Sequence, residues 1–254
     1  MAPTKHASHL PTLLRSPTHP ILLRTLEPRD AAALSAVLSD PENTKYDPYA
    51  SAISPEAARA AIDRMRESAA VPTLLDDATG RVASGPGRVN LVIVYVDGVE
   101  NTLGVEGGEG VVVGLGGFGG INEHEEEAEA EEEKDEEGEG EGKGKGKRVK
   151  VKVRVRVRAG DVGAMLNPGF RGRGFATEAI RLAVDWAFTR VEDGGPQFDR
   201  VTATMVEANK AMVGLVEKKF GWKRVARAGG EEEAEEEGGG EVFFEVGPGD
   251  WKKR

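Results

Sequence analysis

A turn with two glycines constrains the fold of this chain more than any other feature of its sequence. The turn covers residues 167–174 and lies between an apolar run, Val162 to Leu166, and a segment with helical periodicity. Gly172 and Gly174 have no Cβ, so the backbone there can turn sharply and come close to a ligand. The first amides of a helix have no partner inside it, and the helix dipole favours negative charge at that end. A strand, a glycine turn and a helix N-terminus in this order predict a cradle for a cofactor that carries a pyrophosphate.

The spacing of the glycines in this turn distinguishes between three known phosphate-binding motifs. The P-loop pattern, which ends in Gly-Lys-Ser/Thr, does not occur in the sequence. The dinucleotide fingerprint fails because Thr177 stands where its third glycine belongs. The pattern Arg171-x-x-Gly174-x-Ala176 is similar to the Arg/Gln-x-x-Gly-x-Gly/Ala signature of the GNAT superfamily of N-acetyltransferases. In that family the amides of this turn hold the pyrophosphate of acetyl-CoA.

The segments after the turn extend this resemblance. An apolar helix face comes first, Phe198 to Val206 then alternates like a strand, and Asn209 is suited to cap a second helix that ends at Gly221. This order resembles the C-terminal half of the GNAT fold. Residues 161–179 resemble the RimJ/RimL-like branch, which acetylates ribosomal-protein N-termini and related amines. The apolar helix face consists of Ile180, Ala183, Val184, Ala187, Phe188 and Val191.

The resemblance implies an α/β (α+β) fold. We expect a single GNAT-like acyl-CoA N-acyltransferase domain over residues 20–248, with a mixed central sheet flanked by helices. A strand at 21–26 and a helix to about Ser39 open this domain. Ser54 followed by Pro55 predicts the start of a second helix, because serine caps helices well and proline is favoured at the first helical position.

Four segments lack the composition of a packed fold. Within the domain, residues 123–148 are acidic and then basic, and residues 229–240 form an acidic insert in what should be the last hairpin. Neither insert contains enough apolar area to offset the entropy of ordering, so both are predicted to be disordered loop inserts. Repeated prolines interrupt any amphipathic helix in residues 1–19, which are predicted to be a disordered tail. Residues 249–254 are predicted to be a C-terminal tail.

Valine alternates with lysine or arginine from Val149 to Arg158, which predicts a strand with a basic face. Three interpretations of that face stay open: a solvated surface, a site for nucleic acid, or a surface screened by the acidic insert folding back. The strand has no interleaved aromatic residues, which disfavours nucleic-acid binding.

Composition excludes several classes of site. The chain has no cysteine, which excludes disulfides, a thiolate nucleophile and cysteine-ligated metal. Its four histidines are not arranged at metal-ligand spacing, so no metal site is predicted. The formal net charge of −10 comes from the acidic inserts, and the remaining chain has an excess of basic residues that suits an anionic cofactor. No apolar run reaches the roughly 20 residues of a membrane span. We expect a cytoplasmic protein, with a nuclear location left open and a mitochondrial one less favoured.

The resemblance also implies which residues contact acetyl-CoA, the expected co-substrate. Backbone amides at the end of the strand would polarise the thioester carbonyl, the turn would hold the pyrophosphate, and the cap of the second helix would contact CoA. The strand-end residues are Met165, Leu166 and Asn167, the turn residues are Arg171, Gly172, Arg173, Gly174, Phe175, Ala176 and Thr177, and the helix cap is Asn209.

The expected function is transfer of an acetyl group from acetyl-CoA to a primary amine (a protein N-terminus, a lysine or a small amine) by direct attack in a ternary complex. The reaction needs a base, for which Asp161, Glu123 and Glu207 are candidates by position only. Met212 and Val216 occupy the positions where family members often carry a serine or tyrosine acid. A non-catalytic acyl-CoA-binding or scaffold protein is therefore the alternative, followed by nucleic-acid binding through residues 150–158. The loop from Tyr46 to Tyr49 is expected to line the acceptor site.

Overall fold

The computed structural model describes residues 6–46, 50–97, 110–134, 147–226 and 240–252. No helix within these ranges is both long enough and apolar enough to cross a membrane. The strands are β1 (His6–Ala7), β2 (Leu13–Arg15), β3 (Ile21–Thr25), β4 (Thr73–Leu75), β5 (Val82–Ser84), β6 (Val89–Tyr95), β7 (Val111–Lys134), β8 (Lys147–Leu166), β9 (Arg200–Val206), β10 (Lys223–Val225) and β11 (Glu241–Val246). The helices are α1 (Ala31–Ser39), α2 (Pro41–Thr44), α3 (Pro55–Ala70), α4 (Phe175–Ala187), α5 (Lys210–Gly214, continued by a π-helical turn at Leu215–Lys219) and α6 (Pro248–Trp251).

Eight strands form one mixed sheet, in the order β10-β11-β9-β8-β7-β6-β3-β2. Every neighbouring pair is antiparallel except β8 and β9, which run parallel. Parallel neighbours need a crossover connection, and α4 supplies it between β8 and β9. The short strands β1, β4 and β5 form a separate antiparallel sheet.

Two apolar cores cover the two faces of the large sheet. On one face α4 packs against the central strands, with Ile180 and Ala183 buried in the same cluster as Val201. On the other face α1 and α3 contribute Leu34 and Ile62, which pack with Val92. The mixed sheet flanked by helices is therefore confirmed. The apolar face predicted after the glycine turn is buried at Ile180, Ala183, Val184, Ala187 and Val191.

The N-terminal segment is folded, although a disordered tail was predicted over residues 1–19. β2 pairs with β3, β1 pairs with β4, and the His9 side chain is fully buried. His9 Nε2 lies 2.7 Å from Thr73 Oγ1, and the ring meets Trp186 edge-on with 5.4 Å between centroids. The prolines exclude a helix, but an extended segment can still pair with strand edges. The prediction was therefore wrong for residues 6–19.

The C-terminal end is also partly folded, although residues 249–254 were predicted to be a tail. The short helix α6 places Trp251 beside Phe220, with 5.6 Å between ring centroids. Trp251 Nε1 donates to Asp185 Oδ1 at 2.6 Å. One large aromatic side chain is thus enough to hold this end on the core. The insert predicted at residues 229–240 lies outside the described residues, apart from Gly240.

The insert predicted to be disordered at residues 123–148 is a continuation of two strands in its described parts. β7 runs to Lys134 and β8 begins at Lys147, and we name residues 123–134 of β7 together with residues 147–158 of β8 the charged hairpin. Its register places glutamates opposite lysines and arginines, so the fold-back interpretation is confirmed. Like charges repel one another within each strand, and pairing the two strands compensates these charges. Each exposed ion pair contributes only about 0–1 kcal/mol to stability. Three of the ion pairs in the charged hairpin are Lys150–Glu129 at 2.8 Å, Lys152–Glu127 at 2.9 Å and Arg154–Glu125 at 3.7 Å.

We expect the free energy of unfolding to fall as the pH is lowered, because His9 is buried as a neutral imidazole. Burial, and then the charge of Arg158, lower the pKa of His9 from 6.5 to about 4. The unfolded chain therefore takes up a proton that the folded chain does not, and stability present above pH 6.5 is lost as the pH falls towards 4. Between pH 7 and 5 this loss is about 2 kcal/mol, at about 1.4 kcal/mol per pH unit. Urea unfolding at the two pH values measures it.

His9→Gln is the informative variant, since its amide can still bond Thr73 and does not titrate in this range. Its stability should depend on pH less steeply than that of the wild type. His124→Gln, at an exposed histidine of the charged hairpin, should keep the wild-type dependence. Equal pH dependence in the wild type and His9→Gln would contradict the assignment.

Candidate functional site

The glycine turn joins the end of β8 to the start of α4 and leaves the first amides of the helix accessible. Asn167 Oδ1 accepts from the Gly169 amide at 3.0 Å and begins a single 3₁₀ turn over Pro168–Phe170. Gly172 and Gly174 follow with φ of +75° and +82°, a region that side chains with a Cβ rarely adopt. Gly174 is the N-cap of α4 and offers no side chain to the helix amides. These amides are therefore available to an anion.

Aromatic rings fix the position of the turn on the sheet. The ring of Phe175, the first residue of α4, is buried and lies 5.8 Å from that of Tyr95 on β6. Tyr95 in turn lies 5.4 Å from Phe170, and His19 meets Phe175 edge-on at 6.1 Å. Sequence reasoning missed Tyr95 and His19, because both are far from the turn along the chain and neither belongs to its motif. Ala176 and Thr177 are half-buried in the first turn of α4.

The two arginines of the turn are exposed and make contacts with protein groups. The Arg171 guanidinium donates to the Asn43 side chain and to the Glu42 carbonyl, and so links the turn to α2. Arg173 donates to the Gly169 carbonyl at 3.2 Å and lies over the ring of Phe170. Of the loop predicted to line the acceptor site, only Tyr46 belongs to the described residues, and residues 47–49 lie outside them.

A slot opens in the sheet where β8 leaves β9. The two strands pair only at residues 159–161 and 200–202, and the last pair is Asp161 with Thr202. Beyond that point β8 stays paired with β7 up to Leu166, and β9 stays paired with β11 up to Val206. The glycine turn lies at one end of this slot and Asp161 at the other.

The backbone groups that face the slot can be assigned from hydrogen bonds at both ends of β8. The Arg158 carbonyl accepts from the Asp199 amide at 3.0 Å, so residue 158 faces β9, whereas the Asn167 amide donates to Val113 on β7 at 2.8 Å. Because backbone groups alternate sides along a strand, the amides of Ala164 and Leu166 face the slot. Of the three amides predicted to polarise a thioester, Leu166 faces the slot, while Met165 and Asn167 face β7.

Asp161 is a half-buried carboxylate at the inner end of the slot. Its Oδ1 accepts from the hydroxyls of Thr202 at 3.0 Å and Thr204 at 2.9 Å. Burial raises the pKa of Asp161 although both hydroxyls favour its charged form. Within the described part of the chain, no cation forms an ion pair with it. A carboxyl with a raised pKa beside a cleft has the properties of a general base.

The other two base candidates are engaged in ion pairs. Glu123 lies on the charged hairpin, where it pairs with Arg156 and with Arg158, whose guanidinium is at 2.5 Å. Glu207 is bound by Arg224 at 3.1 Å, and this hydrogen bond lowers its pKa. Glu123 lies on β7 and Glu207 directly follows β9, and among the described residues neither carboxylate shares a partner with Asp161.

The helix after β9 carries apolar side chains at the two positions where a proton-donating serine or tyrosine is common in the family that the sequence resembles. Asn209 caps α5, and its Oδ1 accepts from the Met212 amide at 3.3 Å. Val216 is buried, and Met212 packs against the same core. Neither side chain can donate a proton to a leaving group.

Comparison with known families gives a single domain that spans most of the chain. A family model described as an acetyltransferase (GNAT) domain matches residues 21–219. The match therefore begins at β3 and includes the glycine turn, the slot and α5. No curated protein matched the chain.

Solved structures share this fold at low sequence identity. RimJ from Mycobacterium smegmatis, solved with a CoA-disulfide, is 17% identical with a TM-score of 0.54, over 94% of this chain and 87% of that one. A ribosomal L7/L12 α-N-protein acetyltransferase, RimL, solved with coenzyme A, is 13% identical with a TM-score of 0.54, over 93% and 98%. A GNAT-family acetyltransferase from Bacillus anthracis is 15% identical with a TM-score of 0.51, over 93% and 98%.

We expect Gly174→Ala to destabilise the fold more than Gly172→Ala. Both residues have positive φ, which costs a side chain about 1 kcal/mol or more. A Cβ at Gly174 would lie 2.8 Å from His19 Nε2, whereas nothing lies within 4 Å of one at Gly172. Urea unfolding should therefore show a loss of about 1 kcal/mol for Gly172→Ala and about 2 kcal/mol for Gly174→Ala. Equal losses would contradict the close approach of His19.

Proposed function

We propose that this chain, which belongs to the GNAT family of acetyltransferases, holds acetyl-CoA along β8 and transfers its acetyl group to a primary amine. The pyrophosphate lies on the glycine turn, and the pantetheine arm lies in the slot between β8 and β9. One observation carries the proposal: the pairing of β8 with β9 ends at Asp161, so the slot leads from the glycine turn to a half-buried carboxylate. Leu166 lies five residues along β8 from Asp161, which corresponds to about 16 Å.

The acceptor must lose a proton before it can attack. A lysine amine is protonated below about pH 10 and an α-amine below about pH 8, so most of either is charged at neutral pH. Asp161 accepts this proton, directly or through a water molecule. The amine nitrogen then bonds to the thioester carbon, and the carbon–sulfur bond breaks. The raised pKa of Asp161 brings its basicity closer to what the transfer requires.

Backbone amides and the nature of the leaving group account for the rest of the step. The amides of Ala164 and Leu166 face the slot and supply donors for the oxyanion that develops on the carbonyl oxygen. A thiol has an ordinary pKa of about 8.5, so CoA can leave as a thiolate and take its proton from water. The apolar Met212 and Val216 are therefore compatible with turnover.

Protein N-termini are the acceptors that we consider first. The solved structures with a similar fold include RimL, which is described as an α-N-protein acetyltransferase of ribosomal L7/L12. An α-amine loses its proton more readily than a lysine amine, which suits a carboxylate base. The alternative, an acyl-CoA-binding protein without turnover, is favoured only by the absence of an acid at Met212 and Val216.

Substitution of Gly172 tests the placement of the cofactor. Space is open around this residue, so the indole of Gly172→Trp would project over the turn, where we place the pyrophosphate. We expect acetyl-CoA binding, measured by calorimetry, to weaken more than about tenfold. Gly194→Trp is the matched control, because Gly194 has a φ of +85°, open space around it and a position beyond the other end of α4. Equal affinity in the two variants would contradict the placement.

Substitution of Asp161 tests the chemistry. The chain has no cysteine, so a thiol reagent added to acetyl-CoA and a panel of amines and N-terminal peptides detects only released CoA. We expect Asp161→Asn to lower kcat about 100-fold and to leave acetyl-CoA binding unchanged. Glu207→Gln should retain wild-type kcat. No turnover with any acceptor, despite tight acetyl-CoA binding, would support the non-catalytic alternative.

The pH profile gives an independent readout of the same carboxylate. A base must be deprotonated, so kcat/KM should fall as the pH drops through the raised pKa of Asp161. Thr204→Val removes a hydrogen bond that favours the charged form, which raises this pKa further. The acid limb of the profile should therefore move to higher pH in Thr204→Val. An unchanged limb would count against Asp161 as the base.

A further inference from the structure

The segment before β3 is fixed to the first turn of α4 through Ser16. Its hydroxyl donates to Glu178 Oε1 at 2.6 Å and accepts from the amides of Thr18 at 3.1 Å and His19 at 2.9 Å. Glu178 is buried, and Arg181 binds its other oxygen. The carboxylate charge is therefore compensated, and residues 16–19 are held beside the glycine turn.

This attachment directs the imidazole of His19 at Gly174. Its Nε2 lies 2.8 Å from the position that a Cβ on Gly174 would occupy. The ring stands edge-on to Phe175, and about a third of the side chain is exposed. His19 thus borders the turn at Gly174 with part of its side chain exposed to solvent.

His19 Nδ1 has Thr18 as its hydrogen-bond partner, since Glu178 Oε2 is 3.8 Å away, and this arrangement favours a proton on Nε2. Thr18 Oγ lies 3.4 Å from the Arg181 guanidinium and 2.9 Å from His19 Nδ1. Arginine can only donate, so the hydroxyl oxygen accepts from it and the hydroxyl hydrogen is free to bond Nδ1. In the neutral ring Nε2 then carries the proton, and in the charged ring both nitrogens do. Either form presents an N–H donor towards the turn.

We propose that His19 donates a hydrogen bond from Nε2 to the pyrophosphate of the cofactor. The inference rests on the proposed placement of acetyl-CoA and adds to it a residue from outside the glycine motif. Phosphate oxygens only accept hydrogen bonds, which matches an Nε2 donor. A side chain at Gly174 would collide with the imidazole, so the glycine allows His19 to lie this close to the turn.

Two substitutions separate hydrogen bonding from packing. His19→Phe keeps an aromatic ring against Phe175 and removes the donor, whereas His19→Gln removes the ring and keeps an N–H donor. We expect calorimetry to show CoA binding weakened about tenfold in His19→Phe and within about threefold of wild type in His19→Gln. The opposite order would assign His19 a packing role and overturn the proposal. Unfolding curves verify that each variant is folded, and His124→Phe, on the charged hairpin, should bind as the wild type does.

Two further measurements identify which phosphate group His19 contacts and distinguish the role of His19 from the placement of CoA on the glycine turn. His19→Phe should weaken binding of CoA and of 3′-dephospho-CoA by the same factor, and a loss confined to CoA would overturn the assignment to the pyrophosphate. If Gly172→Trp loses CoA while His19→Phe binds it like the wild type, the role of His19 alone is overturned. If Gly172→Trp binds CoA like the wild type, the placement fails, and with it the inference built on it.

Discussion

The early end of hydrogen bonding between β8 and β9 is the constraint on which the rest of this structure depends. After Asp161 and Thr202 the two strands share no further pairs, yet each is held on its other side, β8 by β7 and β9 by β11. The backbone groups of Ala164 and Leu166 therefore face an opening inside a sheet, where a buried polar group needs water or a ligand as its partner. A polar ligand that lies along β8 meets that need.

The slot needs α4 held in a fixed position at its end, because the first amides of this helix would bind the cofactor. α4 is held by the N-terminal segment at two places, where His9 meets Trp186 and where Ser16 bonds Glu178. These contacts lie near opposite ends of the helix, so the segment keeps α4 in place along its length. The first amides of α4, the aromatic rings beside the turn and His19 thus belong to one connected set of contacts. The stability of this arrangement depends on pH through His9: because the imidazole is buried in its neutral form, the folded state is less stable in acid.

Opposite charges organise the part of the chain that has the fewest apolar residues. In the charged hairpin, the register places Glu123, Glu125, Glu127 and Glu129 of β7 opposite arginines and a lysine of β8. At its inner end, Arg158 is buried among Glu123, the Pro86 carbonyl and the ring of Phe198. The charge pattern thus continues into the core beside the point where β8 meets β9. Burial lowers the pKa of Arg158 to about 10, and the guanidinium still remains charged at neutral pH.

Local signals in the sequence determined the glycine turn, the apolar face of α4, the helix caps at Ser54 and Asn209 and the alternation of β8, because each depends on residues within a turn or two. Tertiary structure decided what local signals do not contain. Prolines exclude a helix in residues 6–19 but do not reveal the strand edges with which that segment pairs. Charge runs read singly predict disorder, and only their register makes them a hairpin. Asp161, Glu123 and Glu207 are equivalent as carboxylates in a sequence, and they differ only in what the fold places beside each: two hydroxyls at an open slot for Asp161, and arginines for the others.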